Sequence, residues 1–257
     1  MIMLTVGSLF AGIGGLELGL EWTGGFQTVW QVENDPYAQA VLKKHWPDVG
    51  RWDDVRTFPP SPAEDWQCDV ICGGFPCQDV SVAGRRVGLS GDRSGLWYEF
   101  VRVLRVLRPR YAIVENTPGL FDRGFSEVLG TLAEIGYDAE WSTVSACAMG
   151  APFTRERVFI VAVPASERQR QLRGFQRKDQ SEKERNVCWQ GLESRVPRVA
   201  NGVPAKMDRL RCLGNAVVPA VARFVGERIL EAIAPGGGEG ATGGTGVDLN
   251  LHRNHYQ

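Results

Sequence analysis

Leu4-Thr5-Val6-Gly7-Ser8-Leu9-Phe10-Ala11-Gly12-Ile13-Gly14-Gly15-Leu16-Glu17-Leu18-Gly19-Leu20-Glu21 is the stretch that decides the fold of this 257-residue chain. Leu4 to Phe10 reads as a short buried strand, Ala11 to Gly15 as a glycine turn, and Leu16 to Glu21 as the start of a helix. Together they form the first unit of a doubly wound α/β sheet. The alternation continues. Thr28 to Val32, Asp69 to Cys72, Tyr111 to Val114 and Val158 to Val163 read as strands. Helical periodicity surrounds Tyr37, Val41 and Leu42, and runs over Leu96 to Leu107 and Ser126 to Ile135. The expectation is a mostly parallel sheet with ligands at the carboxyl ends of its strands.

The character changes after Pro164. Residues 1–163 read as one catalytic and ligand-binding domain, and 164–206 as a short segment rich in Arg, Gln, Glu and Lys. Residues 207–233 read as a helix or helix pair returning to that domain, and 234–257 as a Gly/Thr-rich disordered tail. The net charge of −1 gives no global sign of a nucleic-acid surface, so any such surface must be local. The six cysteines lack paired spacing and the three histidines lie far from them in sequence, which argues against zinc. Met1 leads straight into a strand-like segment, and no apolar run is long enough to span a bilayer. A cytoplasmic protein with reduced thiols is expected.

Gly73-Gly74-Phe75-Pro76-Cys77-Gln78 follows an apolar run and holds a thiol at the rim of the sheet with its backbone restricted by proline. Taken alone, a buried structural cysteine in a turn is the commoner meaning of such a pair. The polar Gly/Arg/Ser-rich residues that follow favour an exposed loop carrying a reactive group. Glu115-Asn116 ends a strand on the same rim, so a thiol and a carboxyl group meet there, which suits nucleophilic attack coupled to proton donation. Arg155-x-Arg157 precedes another strand and can recognise a phosphate or a base oxygen. The glycine turn wants a nucleotide-like ligand, but Glu17 stands where a dinucleotide pattern needs glycine, so an adenosine without pyrophosphate fits better. Glu33 at the tip of the second strand can accept from both hydroxyls of a ribose, and Asp54 can accept from an adenine amino group. A solvated strand end and a plain turn aspartate explain these two equally well in isolation.

Phe10-Ala11-Gly12-Ile13-Gly14-Gly15, Glu33-Asn34-Asp35, Asp54-Val55, Gly74-Phe75-Pro76-Cys77-Gln78, Glu115-Asn116, Arg155-x-Arg157 and Gly214-Asn215-Ala216-Val217-x-Pro219, in this order, resemble the DNA (cytosine-5)-methyltransferase family. The resemblance runs from Leu4 to about Ile233, excluding the segment after Pro164. It implies S-adenosylmethionine against Phe10, Gly12 and Gly14, with Glu33 on the ribose, Asp54 and Leu96 at the adenine, and Asn215 and Ala216 at the methionine end. It implies Cys77 as the nucleophile toward cytosine carbon 6, Glu115 at ring nitrogen 3, Arg157 at the base oxygen and Arg155 supporting the loop or a phosphate. No metal and no membrane enter. The substrate implied is double-stranded DNA with the target base flipped out. The enzyme is expected to act as a monomer, with any partner that supplies recognition left unnamed.

Two departures stand out. Phe153 occupies the place where the family usually has Gln before x-Arg-x-Arg. The family's recognition segment is normally much longer, and about forty residues after Pro164 cannot build much of a core. Relaxed or very short sequence specificity is expected, in a compact enzyme of bacterial or phage type. The same chemistry on tRNA, and a non-catalytic DNA-binding module, remain the competing readings. A nicotinamide oxidoreductase is disfavoured by the glycine spacing and the Pro-Cys motif.

Overall fold

The computed structural model describes residues 3–76, 95–167 and 212–234. Cys77, the loop from Asp79, most of the segment 164–206 and the tail from Pro235 lie outside them. Seven strands form one sheet: β1 (Leu4–Leu9), β2 (Phe26–Val32), β3 (Gly50–Trp52), β4 (Val70–Gly74), β5 (Tyr111–Asn116), β6 (Tyr137–Ser145) and β7 (Glu156–Pro164). Their order is β3-β2-β1-β4-β5-β7-β6, with the first five parallel and β7 antiparallel to both neighbours. Among the described residues the helices include α1 (Gly15–Glu21), α2 (Pro36–His45), α3 (Gly95–Leu107), α4 (Leu120–Arg123), α5 (Phe125–Glu134) and α6 (Pro219–Ile233). The expected doubly wound, mostly parallel sheet is borne out.

Each face of the sheet has its own core. On one face α3 buries Trp97, Phe100, Val101, Val103, Leu104 and Leu107 against Leu9, Ile71 and Val114. These residues recur at helical spacing, which is why this segment is a helix with one apolar stripe. On the other face α1 and α6 bury Leu16, Leu20, Val221, Val225 and Ile229 against Val6, Val70, Cys72 and Ile113. Gly19 allows those two helices to touch. A Cβ there would stand 2.2 Å from the Pro219 carbonyl oxygen and 2.6 Å from the Ala222 Cβ.

The structure extends the sequence reading at several points. β3 and β6 were not anticipated. β3 is three residues long, and β6 is an edge strand whose sequence, Tyr-Asp-Ala-Glu-Trp-Ser-Thr-Val-Ser, offers no continuous apolar run. An edge strand packs on one neighbour only, so little burial pressure marks it. β7 begins at Glu156, which places Arg157 inside the strand rather than before it.

Candidate active site

The carboxyl ends of β1, β2 and β4 open onto the turn that follows β1. Phe10 adopts a positive φ of 55° and Gly12 one of 57°. A non-glycine residue in that region is uncommon and marks a constrained bend. Around Gly12 a Cβ would meet nothing within 4 Å, so the backbone there faces open space. Gly14 is the left-handed N-cap of α1. The Gly12 N–H donates to Glu33 Oε2 at 2.7 Å, and the Asp35 N–H donates to Glu33 Oε1 at 2.8 Å. Two backbone donors thus aim the Glu33 carboxylate beside the turn while leaving it lone pairs for a hydroxyl.

Leu96 and Phe10 are half-buried and pack against the same core face. Asp54 Oδ1 accepts from the Arg56 N–H at 2.9 Å, capping a single 3-10 turn, and the side chain is half-buried. A cavity of about 570 Å³ is lined by Pro36, Gln39, Ala40, Lys43, Arg51, Trp52 and Asp53, the residue before Asp54 in sequence.

Glu115 sits opposite Gly74 in the β4–β5 register, 8% exposed, and a Cβ on Gly74 would come within 2.5 Å of Glu115 Oε2. Arg157 Nε lies 2.9 Å from Glu115 Oε1, and Arg157 Nη1 donates to the Glu156 carbonyl. Burial pushes the Glu115 carboxyl up to about 7, with Arg157 and Arg155 opposing that rise. A buried acid near neutrality, fixed by an arginine, can hold or give a proton at a strand end. The Phe75-Pro76 stem that leads to Cys77 is pinned on two sides. Phe75 packs on Trp97 at 5.1 Å between ring centroids, and Asn116 Nδ2 donates to the Phe75 carbonyl at 3.3 Å.

Arg155 has a φ of 29°, and its guanidinium turns toward the C-terminal segment. Nη2 donates to the carbonyls of Gly214 at 2.6 Å and Ala216 at 2.7 Å. Asn215 is exposed and Ala216 half-buried, and the following Val217 carbonyl would collide at 2.3 Å with a Cβ on Gly15. One arginine therefore links the strand carrying Arg157 to the segment that lies against the Gly14-Gly15 turn. Phe153, at the position noted for its departure, is exposed.

The profile of C-5 cytosine-specific DNA methylase matches residues 4–203. The chain belongs to the C-5 cytosine-specific DNA methylase family. It is 38% identical to the type II methyltransferase M2.BsuMI of Bacillus subtilis over 62% of this chain and 42% of that protein. It is 36% identical to the type II methyltransferase M.Bsp6I of a Bacillus species, over 62% and 52% respectively. The chain spans about half the length of these relatives. A prophage-encoded E. coli protein described as a DNA modification methyltransferase superposes with a TM-score of 0.54 at 28% identity, over 64% of this chain and 48% of that one. The S. pombe Dnmt2 methyltransferase shares the fold, with a TM-score of 0.54 at 22% identity over 63% and 51%.

Among the described residues of this C-5 methylase, no group of three or more His, Cys, Asp or Glu can hold a metal ion. Nor is any described helix long and apolar enough to cross a membrane. Sequence reasoning noticed Glu17 only as a misfit to a dinucleotide pattern. It is fully buried, and burial pushes its carboxyl up to about 7. An acid whose folded value lies above its unfolded value of 4.5 favours the folded state fully below 4.5, and loses that contribution as pH rises through about 7. Glu17→Gln should therefore gain stability relative to wild type between pH 5 and pH 8, as read by denaturant unfolding. A difference that stays constant with pH would contradict this.

Proposed function

We propose that this chain transfers a methyl group from S-adenosylmethionine to carbon 5 of cytosine in double-stranded DNA. The observation that carries the proposal is the buried Glu115–Arg157 pair at 2.9 Å, at the carboxyl end of β5, in a chain of this family. The open backbone at Gly12 and the oriented Glu33 carboxylate fit an adenosine cofactor. Phe10, Gly12 and Gly14 would hold it with Glu33 at the ribose, Asp54 and Leu96 at the adenine, and Asn215 and Ala216 at the methionine end. S-adenosylmethionine supplies an electrophilic methyl group on a sulfonium.

The residues of the chain act on the base. Cys77 adds as a thiolate to carbon 6, forming a carbon–sulfur bond and pushing electron density toward carbon 5. Glu115 gives its proton to ring nitrogen 3 and neutralises the adduct. Arg157 keeps Glu115 in place and meets the base oxygen, while Arg155 is a positioning residue. Carbon 5 of the resulting enamine takes the methyl group; its proton then leaves to water, Cys77 departs as the thiolate, and nitrogen 3 returns its proton to Glu115. A base inside a duplex is out of reach of these groups, so the cytosine is flipped out. In this reading residues 1–163 and 207–233 form the catalytic unit and 164–206 a reduced recognition segment. The setting is cytoplasmic restriction-modification or phage protection.

Removing the Arg155 clamp should loosen the segment at Asn215 and Ala216. Arg155→Ala is expected to weaken S-adenosylmethionine binding by roughly tenfold, since two hydrogen bonds to a charged group are lost. Calorimetry without DNA reads this directly, and unchanged affinity would contradict the clamp. The function itself is tested by incubating the protein with radiolabelled S-adenosylmethionine and either duplex DNA or tRNA. Label is expected in DNA. Label in tRNA alone would overturn the substrate, and cofactor binding without transfer to either would overturn the reaction.

A further inference from the structure

A single guanidinium ties α3 to the turn that follows β3. Arg102 Nη2 donates to the Val55 carbonyl at 2.7 Å and to the Phe58 carbonyl at 2.6 Å. Its Nε donates to Glu99 Oε2 at 2.6 Å, one helical turn earlier. The two carbonyls belong to the first residue of the 3-10 turn Val55–Thr57 and to the residue just after it, and Asp54 caps that turn. From the other side, Trp52 Nε1 donates to Thr57 Oγ1 at 2.8 Å, and Thr57 Oγ1 donates to the Asp54 carbonyl at 3.0 Å. Val55 and Phe58 are buried in the same core as Leu9, Trp97 and Phe100.

This turn stands at the rim of the crevice, beside Glu33. The Glu33 N–H donates to the Trp52 carbonyl at 3.0 Å, and the Gly12 N–H donates to Glu33 Oε2. A continuous line from Gly12 through Glu33 and Trp52 to Asp54 therefore crosses the carboxyl ends of β1, β2 and β3. Leu96 lies on the same helix as Arg102 and packs, like Phe10, on the core that holds Val55. Asp54 and Leu96 thus sit on two separate elements, which Arg102 joins by two charge-assisted hydrogen bonds. Asp54 Oδ1 takes the Arg56 N–H, and among the described residues Oδ2 has no donor, so its lone pairs are open to a ligand.

We propose that Arg102 is a positioning residue that sets the cofactor site's preference for a purine bearing an amino group. A carboxylate accepts the hydrogen of an amino group, and it repels a carbonyl oxygen in the same place. Such discrimination needs the acid at a fixed distance from Leu96, the apolar contact of the same ring, because hydrogen bonds weaken steeply with misalignment. Arg102 supplies that distance. Its planar fork meets Glu99 on its own helix and both carbonyls of the Asp54 turn at once. Without it the turn keeps its contacts with Trp52 and Thr57 but loses its tie to α3. Asp54 is then free to turn toward solvent beside Arg56, and the purine amino group ceases to matter.

The inference rests on the cofactor reading above, and a ratio of affinities separates the two. S-adenosylhomocysteine and S-inosylhomocysteine, in which a carbonyl oxygen replaces the purine amino group, are titrated calorimetrically into wild type, Arg102→Ala and Arg102→Lys. Wild type should bind the adenosine compound about tenfold or more tightly, the size expected for one hydrogen bond to a charged group. In Arg102→Ala that ratio should fall below about threefold. Arg102→Lys should fall likewise, because its ammonium ends one bond short and cannot meet Glu99 and both carbonyls together. The lysine keeps a charge beside Glu99, so it decides the matter if the alanine variant does not fold. A general loosening of the protein weakens both ligands alike and leaves the ratio as it was. The wild-type ratio in either folded variant would therefore overturn the inference, as would equal binding of both compounds by wild type. Failure of wild type to bind either compound would overturn it together with the proposed function.

Discussion

Glu115→Gln is expected to lower the rate of methyl transfer by about 10²- to 10³-fold, the size of effect seen when one group stabilising developing charge is removed. The amide has nearly the shape of the acid, so packing against Gly74 and the approach of Arg157 should persist. What disappears is the transferable proton. In wild type, burial holds this carboxyl near 7 against the pull of Arg157 and Arg155, so a protonated fraction is present at neutral pH. Its loss above that value predicts a fall in rate as pH rises through about 7, and the variant should lack that fall. Single-turnover kinetics on saturated duplex DNA reads both. A variant within threefold of wild type would remove Glu115 from the chemistry.

Gly19→Leu is expected to destabilise the protein by about 3 kcal/mol, at the upper end for overpacking a close contact. The added side chain begins 2.2 Å from a backbone oxygen of Pro219, which cannot swing aside as a flexible side chain would. α6 must move, and with it the carbonyls of Gly214 and Ala216 that Arg155 grips. The same variant should therefore bind S-adenosylmethionine poorly at temperatures where it remains folded. Denaturant unfolding with an intrinsic tryptophan signal measures the first effect. A loss below about 0.5 kcal/mol, the usual range for a surface change, would mean that α6 does not need its contact with α1.

The elements that were legible are those whose signals are local. β1, the glycine turn and α1 follow one another in sequence, and each has its own signature. α3 shows its stripe because Trp97, Phe100, Val101, Leu104 and Leu107 fall on one side of a helix. Glu115 was legible because it ends the apolar run of β5 and shares an edge with Gly74. β6 was not, since an edge strand with half-exposed side chains carries no clean alternation. The grip of Arg155 on Gly214 and Ala216 joins residues about sixty positions apart, and no periodicity encodes such a contact. Glu17 was visible as a misfit only. Its environment is assembled from Ser8, Gln31 and Cys72 on three strands, and only their register brings them into one row.

The most direct measurement is to express wild type and Cys77→Ser in a host that lacks cytosine methylation and to bisulfite-sequence its DNA. The account predicts protected cytosines with wild type and none with Cys77→Ser, within a short or relaxed sequence context. Cytosines protected equally by both proteins, or by neither although both are folded and bind S-adenosylmethionine, would contradict it.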